Sequence, residues 1–158
     1  MRNRFGFGII VSAFALAACG GGAANAPNRG PMPEGGDYTG VWFSPQYGEM
    51  HLHQNGDRVV GWYQQDERQG RISGTVAGNV LRFEWEEERE MVTGKPTVTR
   101  GRGYFVYTID HEERGEAEYE VHSIEGEWGM DDSDTGGGPW TGVKSLKRKP
   151  RMQPQAAD

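Results

Sequence analysis

Few side chains in this sequence have the type and spacing that chemistry needs. Glu49-x-His51-x-His53 would place three metal-ligating groups on one face of a strand, with His122 far along the chain. A zinc site needs three or four ligands in fixed geometry, and one His-x-His pair supplies two. Met50 and Leu52 fall on the opposite face, so Glu49, His51 and His53 read as a solvated outer surface. Asp132-x-Asp134-x-Gly136 opens like a calcium loop, which also requires a further oxygen ligand and a bidentate Glu after the glycine. The chain runs instead into Gly137-Gly138-Pro139-Trp140, and an acidic turn is expected. Carboxylates are dense at 84–90 and 112–118, in turns and outward positions where they solubilise and are not desolvated for acid–base work. There is no Gly-x-Ser-x-Gly elbow and no phosphate-cradling loop, and the single cysteine is Cys19. No catalytic residue, metal or bound cofactor is expected, and the chain does not read as an enzyme.

The elements that must carry any site are strands. From Tyr38 onward the hydrophobic period is two. Strands are expected at 40–43, 48–54, 58–64, 71–76, 80–86, 101–109, 119–130 and 140–146. Asn55-Gly56 signals a type I′ hairpin turn between the second and third. Turns or loops are expected at 66–70, around Gly94 and Pro96, at 110–118 and at 131–139. Val121 and Ile124 are out of phase, which predicts a bulge in the seventh strand. Leu, Ile, Val and Phe make up less than about a fifth of the chain, a level that by itself suggests disorder. Five Trp and six Tyr reverse that, because each large aromatic buries roughly 150–250 Å². The expected fold is all-β: one eight-stranded antiparallel up-and-down barrel over 37–147, closed so that no edge is left free. A sandwich of the same strands is the alternative.

The inward positions are rich in aromatics. Trp42, Tyr63, Phe83, Trp85, Trp128 and Trp140 are the candidate ligand-binding residues. Inward glycines recur at Gly61, Gly74, Gly126 and Gly142. In one reading each glycine makes room for a neighbouring ring and the barrel is solid. In the other the glycines leave an indole-lined slot for a small apolar or ring-shaped ligand. Eight strands can do either.

The front of the chain has a separate role. Arg2 and Arg4 precede an apolar run from Phe5 to Ala18, which ends at small residues before Cys19. This is the basic, apolar and small-residue order of an export signal, and it is too short to span a bilayer. Leu16-Ala17-Ala18-Cys19 resembles the lipobox of bacterial lipoproteins. That resemblance implies removal of residues 1–18, and N-acyl and S-diacylglycerol chains on Cys19 as a palmitate-type membrane anchor. With Gly20 next, it further implies the outer membrane of a Gram-negative bacterium, on its periplasmic face. Loss of Arg2 and Arg4 takes the formal charge from −6 to −8, which argues against nucleic acid as a partner. Residues 19–36 read as a Gly/Ala/Pro tether reaching about 20–25 Å as a coil. Residues 148–158, which continue a basic cluster at Lys147, Arg148, Lys149 and Arg151, read as a disordered, solvated tail.

Gly40-x-Trp42 on the first strand, with Lys144 on the last, resembles the pattern of the calycins: lipocalins, fatty-acid-binding proteins and avidins. The Gly61-Trp62-Tyr63 strand is similar to the Gly-x-Tyr strand of avidins. The resemblance implies a barrel closed by a cation–π contact between Trp42 and Lys144, worth about 0.5–2 kcal/mol. It also implies a small apolar ligand in the barrel. The alternative is a filled barrel that works through its loops on a periplasmic protein, as lysozyme or protease inhibitors do.

Overall fold

The structure, a computed structural model, describes residues 27–153. Residues 1–26, with the expected export signal, Cys19 and the first part of the expected tether, lie outside it, as do residues 154–158. The strands are β1 (Gly40–Ser44), β2 (Gly48–Asn55), β3 (Arg58–Gln65), β4 (Arg68–Ala77), β5 (Val80–Glu90), β6 (Pro96–Arg114), β7 (Ala117–Met130) and β8 (Gly138–Ser145). Each pairs antiparallel with the next and β8 pairs with β1, giving a closed up-and-down barrel. This is the expected fold, and the β1–β8 ladder is the contact a sandwich would lack.

The β1–β2, β3–β4, β5–β6 and β7–β8 connections surround one end, here called the mouth. The other three connections and residues 27–39 form the base. The middle is solid: Trp42, Met50, Leu52, Tyr63, Leu81, Phe105, Tyr107, Ile124 and Trp140 are all buried in one cluster. The rings fit because aromatics stand directly across a ladder from glycines. Tyr63 faces Gly70, Trp85 faces Gly101 and Phe83 faces Gly103, and a Cβ at any of these glycines would overlap the facing ring. Of the glycines expected to make room, Gly61, Gly74 and Gly126 lie closest to a backbone carbonyl of the adjacent strand and Gly142 to the Ile124 side chain.

The base is plugged by the chain that precedes β1. Tyr38 Oη lies 2.9 and 3.0 Å from the carbonyl oxygens of Asn79 and Phe105 and accepts the Leu81 N–H. Trp42 Nε1 donates to the Tyr38 carbonyl at 2.9 Å. Asn79 exchanges bonds with Gly30 through both its backbone N–H and its side-chain oxygen, and Met32 packs on the core. The expected tether is therefore a docked segment over 27–36. Composition missed it because backbone hydrogen bonds and one methionine do the anchoring.

Four hairpins share one turn design. Gly56–Asp57, Asp66–Glu67, Gly78–Asn79 and Gly115–Glu116 are two-residue loops, as the flanking registers require. Their first residues have φ of 62°, 52°, 61° and 70°. A left-handed residue at the first position only is the type II′ arrangement, in place of the type I′ turn expected from Asn55-Gly56. The 66–70 turn contracts to two residues, and Arg68–Gly70 join β4. Asp66 alone among the four carries a Cβ in this conformation. Asp66→Gly is expected to raise stability by about 0.5–1 kcal/mol, read as a higher urea midpoint. A lower midpoint would contradict the left-handed backbone there.

Two expectations for β6 and β7 are corrected. The 110–118 loop is a continuation of the hairpin to Arg114 and Ala117. The register is unbroken from Gly101↔Met130 to Arg114↔Ala117, so there is no bulge. Val121 sits outside, and His122 takes the inward position before Ile124. The imidazole is tolerated there because Tyr107 Oη bonds its Nδ1 and Glu120 lies 3.3 Å from its Nε2.

The segment after β8 is also corrected, as far as it is described. It crosses the outer face of β1 to β3. Arg148 grips Glu49 with two bonds of 2.6 and 2.8 Å and lies over the Phe43 ring. The Arg151 N–H donates to His51 Nδ1 at 3.0 Å, and its carbonyl accepts from Trp62 Nε1 at 2.9 Å and His53 Nε2 at 3.2 Å. His51, expected in solvent, is 0% exposed and stacks on Trp62 at 4.3 Å.

Candidate functional site at the barrel mouth

The inward period of β5 continues past Trp85 to Glu87 and Arg89, beyond the point where that strand was expected to end. β6 begins correspondingly early, at Pro96. Together they form an overhang whose inner face carries Glu87 opposite Thr99 and Arg89 opposite Thr97. Beneath it lies a cavity of about 350 Å³. Its floor and walls are Tyr47, Tyr63, Trp85, Trp128 and Trp140, and its rim holds Arg68, Glu87 and Arg89.

The walls are aromatic rings that meet mostly edge to face. Ring centroids are 5.3 Å apart for Trp85–Trp128, 5.0 Å for Tyr63–Trp140 and 6.3 Å for Tyr47–Trp128, each close to perpendicular. Tyr47 and Trp140 meet at 4.3 Å, tilted. Edge-to-face contact sets the positive ring edge against the negative face and fixes each wall. Trp85 Nε1 is satisfied by the Arg102 and Gly129 carbonyls, both at 3.2 Å. Trp140 Nε1 is buried and has no acceptor among the described residues.

The rim is charged. Tyr63 Oη donates to Glu87 Oε2 at 3.1 Å, and burial followed by the Glu87 charge pushes its pKa well up, so the phenol stays a donor. Arg68 Nε and Arg89 Nη2 stand 3.7 and 3.9 Å from Glu87 Oε1, outside hydrogen-bond distance. Arg68 also lies over the Tyr47 ring at 5.9 Å. A search among protein-family models, curated proteins and solved structures finds no match to this chain.

The candidate residues therefore divide. Tyr63, Trp85, Trp128 and Trp140 meet in the mouth cavity. Phe83 is packed in the barrel's middle against Phe105. Trp42 is at the base, where Lys144 Nζ lies 5.5 Å from its ring and also donates to the Asp37 carbonyl. Tyr47, Arg68, Glu87 and Arg89 escaped the sequence reading. Tyr47 sits in a turn with no periodicity to place it. The other three stand where the sequence pattern of 66–70 and of the stretch after Glu86 is that of polar loops. The legible signal was parity: Leu81, Phe83, Trp85, Glu87 and Arg89 alternate without a break.

The other flagged groups are occupied elsewhere. Asp134 accepts from Arg82 at 2.6 Å, and Asp132 lies 3.0 Å from Arg102, so the 131–137 loop folds onto the outer face. Among the described residues no three His, Cys, Asp or Glu converge as a metal site would require. A larger groove, about 800 Å³, runs over the outer face beside Trp62, but its charges neutralise one another, as in Arg100–Glu86 at 2.9 Å.

Proposed function

We propose that this chain is a lipid-anchored, non-catalytic binding module on the periplasmic face of an outer membrane, holding a small, largely apolar ligand in the mouth of a calycin-like barrel. The observation that carries the ligand is the mouth cavity, walled by four of the six aromatics that the sequence picks out. Its volume lies at the lower end of the roughly 300–1,000 Å³ of ligand pockets, and its lining has their character: mostly apolar, with a few polar groups. The anchor rests on Leu16-Ala17-Ala18-Cys19 and its leader. The calycin likeness rests on Trp42 and Lys144 at the barrel's base.

Native mass spectrometry of the full chain purified from its own cells is expected to show a co-purifying small molecule that Trp128→Ala removes. A bare mass in the wild type, with a periplasmic enzyme captured in parallel, would favour the second reading, a protein-interaction module. The solid middle and the overhanging β5–β6 hairpin, with Met91, Val92 and Val98 exposed near its tip, are what favour that alternative. Cys19→Ser is expected to release the protein from membranes; retention would remove the anchor from the proposal.

A further inference from the structure

Arg68 and Arg89 are directly opposed across the β4–β5 ladder, on its inner face. Two like charges in a facing cross-strand pair repel each other. A single carboxylate, Glu87, lies near both, but one of its oxygens is taken by Tyr63 and the other is beyond hydrogen-bond distance of either guanidinium. Each guanidinium carries five N–H donors in a planar fork, and both side chains remain about a third exposed. The rim thus has one surplus positive charge and unused donors, set directly above aromatic walls.

From this we infer that the mouth selects a planar aromatic acid, with its ring against Tyr47, Trp85 and Trp128 and its carboxylate between Arg68 and Arg89. The inference rests on the mouth being a ligand site. A carboxylate matches the guanidinium fork in a way a hydroxyl does not, and charge-assisted bonds are about twice as strong as neutral ones. An organic cation is the reverse case. Aromatic rings and a carboxylate are what a cationic ligand uses, but here Arg68 already lies over the Tyr47 ring and the two guanidiniums outnumber Glu87. The chain as a whole is acidic, with a formal charge of −6, so attraction for an anion is local to this rim and weakens with salt.

Three probes that share one ring separate the outcomes: naphthoate, naphthalenemethanol and naphthylmethylammonium, titrated into the full chain by calorimetry. Naphthoate is expected to bind about tenfold or more tightly than the alcohol, and the ammonium most weakly. In the Arg68→Gln/Arg89→Gln double variant the acid and the alcohol are expected to bind alike. Equal affinity for acid and alcohol in the wild type, or a preference for the ammonium, would overturn the inference while leaving the mouth a ligand site. Binding that survives Trp128→Ala would place the probe elsewhere and overturn it too. Failure of all three probes would count against the mouth as a site of any kind.

Discussion

Replacing Trp140 by alanine is expected to lower the free energy of unfolding by about 3–5 kcal/mol, the cost of removing a fully buried large aromatic. Trp140 is 1% exposed and touches more rings than any neighbour, with centroids 4.3 Å from Tyr47, 5.0 Å from Tyr63, 5.4 Å from Phe105 and 5.5 Å from Phe83. It is where the solid middle meets the mouth cavity, so its loss opens one into the other. Trp140→Phe separates packing from polarity. The indole N–H has no acceptor among the described residues, so nothing polar is lost, and phenylalanine is expected to recover most of the difference. Urea unfolding followed by near-ultraviolet dichroism measures both variants. A change below about 1 kcal/mol for alanine would mean the ring cluster is not the core.

The second large effect is on acidification. His51 Nδ1 accepts the Arg151 N–H, so the proton of the neutral ring is on Nε2, facing Glu49 Oε1 at 2.8 Å. Protonation would set an N–H of the ring against the N–H of Arg151. Burial is the first cause that holds the His51 pKa below 6.5, and the Arg151 and Arg148 charges add to it, against the pull of Glu49. Trp62, stacked on the ring, contributes no charge, and His53 donates to the Arg151 carbonyl whether neutral or protonated. A pKa lowered by docking means the open state binds the proton more readily. Stability from the docked segment is then complete above about 6.5 and falls as pH drops below it. Glu49 is also lowered, chiefly by its bond to Arg148, and adds a second loss below 4.5. Between about pH 7.5 and pH 5.5 the open fraction of residues 148–152 is expected to rise, with about tenfold as the ceiling set by one proton taken up at an ordinary imidazole in the open state. Amide exchange in that segment reads the change, corrected for intrinsic rates, and His51→Gln should flatten it. An equal response in His51→Gln would assign the switch to another group.

Most of the barrel was legible because a strand with one buried face must alternate. Strand identity follows from where Met50, Leu52, Val59, Tyr63, Ile72, Leu81 and Phe83 fall, and the short turns give the order, while closure over a sandwich of the same strands is decided by the β1–β8 ladder. What was missed has a common cause: partners held by backbone atoms leave no pattern in side-chain type. Gly30 docks through its N–H and carbonyl, and Arg151 through its N–H and carbonyl, so 27–36 and 148–153 looked like free ends. One signal was available: Trp62 in an outward phase beside His51 is too apolar a pair to leave uncovered. For the site, aromatic composition located the walls. The rim was lost because charged residues were assigned to turns, although β5 and β6 run on beyond the barrel wall as an overhang.

The plug formed by Met32 and Tyr38 has a directional consequence. Because residues 27–39 lie across the end opposite the cavity, a body fastened by its front hangs with its closed side toward the point of attachment and its opening outward. Seven residues separate Cys19 from Pro27, so an anchor at Cys19 would hold Pro27 within about 25 Å of the surface even with the chain fully extended. If Cys19 is the anchor proposed above, a ligand of the mouth would load and unload on the side away from the surface.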